Sequence, residues 1–163
     1  MSDSVATGAI SRETDDLNKP GGSADILVLL VDDTVDNLVL FSLVLQQKGY
    51  RVITASDGEE AVKAALLAHP DVILMDIGMP HLDGLGAARK IRDYDRLAKT
   101  PIIAVTAFDT DGFRRAAYDV GFDGYLTKPF DFERLDKLIR ASLAGDATER
   151  AAPHDAGSEK KIA

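Results

Sequence analysis

Apolar residues in this chain gather in short unbroken runs, separated by longer stretches with helical spacing. Ile26-Leu27-Val28-Leu29-Leu30-Val31 is the first run. It is too short for a buried helix and suits a strand covered on both faces. Arg51-Val52-Ile53-Thr54-Ala55, Val72-Ile73-Leu74-Met75, Pro101-Ile102-Ile103-Ala104-Val105 and Phe122-Asp123-Gly124-Tyr125-Leu126 give four more short strands. Residues 35–48 predict the first helix, with Thr34 as its cap and Gly49 as its stop. A second starts from a cap on Ser56 or Asp57 and runs to His69, where Pro70 ends it. Residues 85–94, residues 110–120 up to Gly121, and the series Phe132, Leu135, Leu138, Ile139, Leu143 up to Gly145 give three more. Strands alternating with helices in this way predict an α/β fold, a doubly wound parallel sheet with helices on both faces and right-handed crossovers.

The first helix departs from the single apolar stripe of a surface helix. Val35, Leu38, Val39, Leu40, Phe41, Leu43, Val44 and Leu45 cover nearly its whole circumference, which implies two partners rather than one. Outside the alternating elements no period emerges. Residues 1–24 and 145–163 are expected to be flexible extensions flanking one domain at 25–144.

At 163 residues the chain has room for one domain with a substantial core. Its formal net charge of -8 argues against a direct nucleic-acid partner, and Lys160-Lys161 is too small a cluster to change that. Having no cysteine excludes disulfides, thiolate metal sites and cysteine nucleophiles. No apolar run approaches the roughly 20 residues of a membrane span, and the first residues lack a basic and apolar leader. A cytoplasmic protein without membrane association is expected. His69, His81 and His154 lack ligand spacing, and Gly84 and Gly86 follow no strand directly, so neither set suggests a metal or dinucleotide site.

The chemistry lies where the strands end. Asp32 and Asp33 follow the first strand and Asp76 the third, while Thr106 ends the fourth and Lys128 follows the last. Ligands of open parallel sheets collect outside these carboxyl ends. An acidic pair after a strand can simply cap a helix. Three converging carboxylates, however, repel unless a cation intervenes, and a hard divalent ion such as Mg2+ accepts oxygen ligands shared with a phosphate. Lys128 offers a positive charge and Thr106 a hydroxyl for phosphoryl oxygens; the plainer alternatives are a lysine paired with an aspartate and an ordinary strand-end threonine.

With Asp32-Asp33, Asp76 before Gly78-Met79-Pro80, Asp83-Gly84, Thr106-Ala107 and Lys128-Pro129-Phe130 in this order, residues 25 to 144 resemble the receiver domain of two-component response regulators. Each fragment alone is weak; together their order and spacing are specific. The resemblance implies a flavodoxin-like sheet of order 2-1-3-4-5, the order the doubly wound class has in chemotaxis receivers. It makes Asp76 the phosphoacceptor, served by a sensor histidine kinase or a histidine phosphotransfer protein. Asp33, Asp76 and the carbonyl of Gly78 would ligate Mg2+, with Asp32 acting through a water. Thr106 and Tyr125 would form the switch, Thr106 vacating space for the tyrosine ring, and the Lys128-Pro129 bond would be cis. On the first helix the resemblance places Leu40, Phe41 and Val44 inward, leaving Val35, Leu38, Val39 and Leu43 outward as the partner-docking face.

Two positions near the site carry no fixed identity in such domains: Gly78 and Phe108, which flank the path of an attacking water. Phe108 is expected to shield a phosphoryl group that Gly78 leaves open. About 20 residues after the last helix leave no room for an output domain, so a stand-alone receiver is expected, signalling to a downstream protein target or relaying its phosphoryl group; a homodimer is compatible with the sequence. Two other classes remain in view. An aspartyl-nucleophile phosphatase would usually carry an acid where Gly78 stands, and a degenerate binding module would have lost part of the carboxylate, threonine and lysine set.

Overall fold

The computed structural model describes residues 25–145; the expected extensions at 1–24 and 146–163 lie outside the described residues. Five strands, β1 Leu27–Val31, β2 Arg51–Ala55, β3 Val72–Met75, β4 Ile102–Thr106 and β5 Gly124–Thr127, form one parallel sheet in the order β2-β1-β3-β4-β5. Helices α1 Val35–Gln47, α2 Gly58–Ala68, α3 Gly84–Arg92, α4 Asp111–Val120 and α5 Phe132–Leu143 connect and follow them, with a short 3-10 turn at Asp95–Leu97.

Alternation along the strands divides the core in two. Leu29, Val31, Ile73, Met75, Ile102 and Ala104 face Ala61 and Ala65 of α2, Ala87, Ala88 and Ile91 of α3, and Ala117 of α4. Val28, Leu30, Val72, Leu74, Ile103 and Val105 face Phe41 and Leu45 of α1 and Leu135, Leu138 and Ile139 of α5. Both faces of β1, β3 and β4 are thus dry, which is why these strands read as continuous apolar runs.

Local chemistry fixes the ends of the elements. Past α1, Gly49 takes φ 91°, its N–H donates to the Gln46 carbonyl, and that of Tyr50 donates to Leu45, a Schellman closure. Asp57 caps α2 by accepting from the Glu60 N–H, while Glu60 reaches back to the backbone and hydroxyl of Ser56. Thr34 occupies the cap position of α1 but makes no side-chain cap bond. Asp32 takes up the Thr34 N–H instead, at 2.8 Å. The expected last strand begins later than its apolar run, at Gly124; just ahead of it the Asp123 carboxylate accepts from the Ile102 N–H and from Arg92.

Helix α1 corrects two expectations, Leu40 as inward and Leu38 as outward. Phe41 and Leu45 point into the core, Leu38 is half-buried against the same cluster, and Leu40 is 51% exposed rather than inward. The physical reason is the ring cluster of Phe41, Phe130 and Phe132, whose centroids lie 5.4 to 5.5 Å apart. It fixes Phe41 as the centre of the inward stripe, and Leu40, one residue earlier and about 100° around the helix, turns away from it. Val35, Val39 and Leu43 face outward as expected.

Candidate functional site

The parallel register delivers the polar groups together. The Asp32 N–H donates to the Ala55 carbonyl, that of Asp76 to Val31, and that of Lys128 to Thr106, so the ladder continues one residue past the strands and aligns their tips. Gly84 lets α3 start against this edge. A Cβ there would lie 2.2 Å from the Asp76 carbonyl oxygen and 2.8 Å from Ile77 Cα, so only glycine permits the approach.

Asp32 and Asp76 are buried and Asp33 is exposed, yet each presents a carboxylate oxygen within 4.8 Å of the other two. Asp76 Oδ1 accepts from the Gly78 N–H at 3.0 Å, and its Oδ2 lies 3.2 Å from Lys128 Nζ. The same ammonium is 2.6 Å from Asp32 Oδ2. Burial pushes the pKa of Lys128 down, but the hydrogen bond to Asp32 and the charges of Asp76 and Asp32 outweigh it and hold it above the ordinary 10.5. One ammonium set against three carboxylates leaves negative charge uncompensated. The donors are all hard oxygens, so the set suits a hard divalent cation.

Thr106 is fully buried at the end of β4, its Oγ1 accepting from the Phe108 N–H at 3.4 Å. The Tyr125 hydroxyl donates to the Phe108 carbonyl at 2.6 Å, and its ring lies 4.6 Å beneath the Arg114 guanidinium. Burial pushes the Tyr125 phenol up to about 12. The Tyr125 ring is buried, and the backbone of Phe108 bonds to both Thr106 and Tyr125. The Lys128-Pro129 bond is cis, as expected.

The Phe108 ring stacks on Phe113 of α4 at 4.4 Å and covers Gly78, whose missing Cβ would lie 2.5 Å from it. Beside the acidic cluster opens a 390 Å3 groove lined by Asn37, Leu40, Phe41, Lys128, Phe130 and Phe132, among others. Val35, Val39 and Leu43 of α1, the helix that supplies Asn37, Leu40 and Phe41, are spaced four residues apart and exposed. Among the described residues no histidine joins a metal-capable cluster.

Sequence reasoning missed Asn37, whose Nδ2 donates to Asp32 Oδ2 at 3.1 Å. It also missed the Asp109, Arg114 and Thr127 network that lies over Tyr125. Asn37 had one legible signal, a carboxamide in the first turn of a largely apolar helix that starts just after the acidic pair.

Residues 28–140 match the family model described as response regulator receiver domain. The polar-differentiation response regulator DivK of Brucella ovis is 37% identical over 120 residues, covering 74% of this chain and 97% of its own length. The alkaline phosphatase synthesis transcriptional regulatory protein PhoP of Bacillus subtilis is 37% identical over 126 residues, 77% of this chain, which spans only 51% of that longer regulator. Among solved structures, the receiver domain of the sensor histidine kinase PA1611 from Pseudomonas aeruginosa superposes with a TM-score of 0.69 at 36% identity. The match covers 73% of this chain and 98% of that one, which carries a magnesium ion coordinated in its active-site cleft.

Proposed function

Because the chain belongs to the response regulator receiver family, we propose that it accepts a phosphoryl group on Asp76 from a sensor histidine kinase or a histidine phosphotransfer protein, in a Mg2+-dependent reaction. The observation that carries this is the convergence of Asp32, Asp33 and Asp76 with Lys128 placed between two of them. Phosphoryl transfer asks the protein for positioning and for positive charge around a spread-out transition state. Asp76 supplies the nucleophilic oxygen. Its Oδ1 is tied to the Gly78 N–H, which orients the carboxylate. Lys128 supplies a positive charge held beside the nucleophile by two carboxylates, from which it can turn to the incoming phosphoryl oxygens. Asp33, Asp76 and the Gly78 carbonyl would hold Mg2+, with Asp32 behind them; the ion, when bound, supplies charge neutralisation between nucleophile and phosphoryl oxygens. The fit of the donor set and the magnesium in the PA1611 receiver support that assignment.

The test is incubation with Mg2+ and acetyl phosphate followed by intact-mass measurement. One added phosphoryl group per chain is expected, and an unchanged mass in a folded sample would favour a degenerate binding module.

Readout follows from the same geometry. The Thr106 hydroxyl accepts from the Phe108 N–H and the Tyr125 hydroxyl donates to the Phe108 carbonyl, so the two hold the backbone on either side of the Phe108 Cα. A Thr106 hydroxyl drawn to a phosphoryl oxygen gives up its bond to the Phe108 N–H. The loop to α4 then loses one of its anchors, and the α4–β5–α5 face changes its packing for a downstream protein.

Phe108 is proposed to shield the acyl phosphate from water. Phe108→Ala should hydrolyse it faster, by about three- to tenfold, because a ring that covers Gly78 and stacks on Phe113 is removed. Decay of the labelled form, followed by mass at fixed Mg2+, checks this, and an unchanged rate contradicts shielding.

Kinase docking is assigned to the exposed side of α1 and the adjoining groove. Contiguous apolar surface on a receiver of this size marks an interaction site. Since Leu38 packs partly on the core, the informative substitution is at Val39, 54% exposed. Val39→Asp should slow phosphotransfer from the cognate kinase by at least roughly tenfold, the loss expected of an interface anchor, while labelling by acetyl phosphate stays as in the unsubstituted protein. Equal loss with both donors would contradict docking there.

A further inference from the structure

We infer that Asn37 is a positioning residue for the acidic site: its carboxamide orients Asp32 and keeps it oriented when Lys128 is engaged elsewhere. The inference rests on the phosphoacceptor reading above for Lys128 alone.

Asp32 is 2% exposed and carries a charge, so its oxygens need partners. A carboxylate offers about four acceptor directions. Three are taken: Oδ1 accepts from the Thr34 N–H at 2.8 Å, and Oδ2 accepts from Asn37 Nδ2 at 3.1 Å and from Lys128 Nζ at 2.6 Å. What remains open for a cation or its water is on Oδ1. Asn37 and Lys128 therefore share one oxygen and determine that the other is presented.

The two partners differ in permanence. Lys128 also contacts Asp76 and is the group that a phosphoryl oxygen would draw away. Once it turns, Asp32 Oδ2 keeps a side-chain donor only from Asn37. A carboxamide suits this place, being a donor at every working pH that adds no positive charge to oppose a metal ion and no negative charge to repel Asp32. Its position in the first turn of α1, at the rim of the groove, also places Asp32's orientation under the control of that helix turn.

Removing an outer partner of a metal ligand changes metal affinity by about 10- to 100-fold, and Asn37, which bonds to a carboxylate that meets the ion through water, belongs at the lower end of that range. The experiment titrates Mg2+ alone into the full chain, following the amide resonances of Thr34 and Gly78, which bond to Asp32 and Asp76. Asn37→Leu keeps the size and removes the donor; Asn37→Ser is a second variant suited to a helix start. Both should weaken Mg2+ binding by about tenfold or more, with the melting temperature in EDTA little changed and labelling at Asp76 recovered at high Mg2+. Affinities within about twofold of the unsubstituted protein in both variants would overturn the inference, as would a loss that only tracks a lowered melting temperature. If the unsubstituted chain binds Mg2+ but takes no label, the phosphoacceptor reading fails while the Asn37 result still stands.

Discussion

Lys128→Met is expected to lower phosphoryl incorporation from acetyl phosphate by roughly 10²- to 10³-fold, the usual cost of losing one fixed electrostatic contact in the transition state. It should also destabilise the metal-free protein. Lys128 is the cation between Asp32 and Asp76, which are 2% and 9% exposed. Removing one partner of such a cluster leaves buried charge uncompensated, at about 2–4 kcal/mol, with the upper range discounted because the lysine is partly exposed. Mg2+ should then raise the melting temperature more in the variant than in the unsubstituted protein, because a divalent ion takes over the neutralisation. The pH dependence has a definite sign. A lysine whose folded pKa lies above its unfolded value stabilises fully below the unfolded value and loses that contribution as pH rises through the folded one. The Lys128 contribution should therefore be intact at neutral pH and disappear only above about 10.5. Labelling kinetics and melting curves with and without Mg2+ check both halves, and unimpaired labelling would remove Lys128 from the reaction.

Arg92→Met is expected to cost about 3 kcal/mol, lowering the melting temperature by roughly 10 °C, with labelling at low temperature unchanged. The guanidinium at the end of α3 donates to the carbonyls of Leu97, Thr100 and Gly121 and pairs with Asp123 at 2.9 Å. Asp123 in turn accepts from the Ile102 N–H at the start of β4. One half-buried side chain thus ties together the α3–β4 and α4–β5 connections at the edge of the sheet opposite the acidic cluster. Its loss leaves several carbonyls without their donor and takes the guanidinium away from the Asp123 carboxylate. A melting temperature within about 2 °C of the unsubstituted protein would contradict this account of Arg92.

Both cases show where sequence was legible. Buried parallel strands must be continuously apolar, so the residues that interrupt them, Asp32, Asp76 and Lys128, could be placed at the tips from pattern alone, and the register then brought them together. Side-chain direction on α1 was not legible in the same way. A helix apolar all round does not announce which side faces the sheet, and the Phe41, Phe130 and Phe132 cluster, assembled from two distant segments, decided it. Asn37, Arg92 and Asp123 escaped for a related reason. Their partners lie 5 to 31 residues away, across turns whose geometry the pattern does not fix. The close approach of Gly84 to the Asp76 carbonyl likewise appeared in the sequence only as part of an Asp-Gly turn.

The central claim is that Asp76 takes the covalent bond. Its most direct measurement is to label the chain with acetyl phosphate and Mg2+, reduce the acyl phosphate with borohydride, and locate the resulting homoserine by peptide mass spectrometry. The account predicts conversion at position 76 alone and none in Asp76→Asn. Conversion at Asp32 or Asp33 in the unsubstituted protein, or undiminished incorporation in Asp76→Asn, would contradict it.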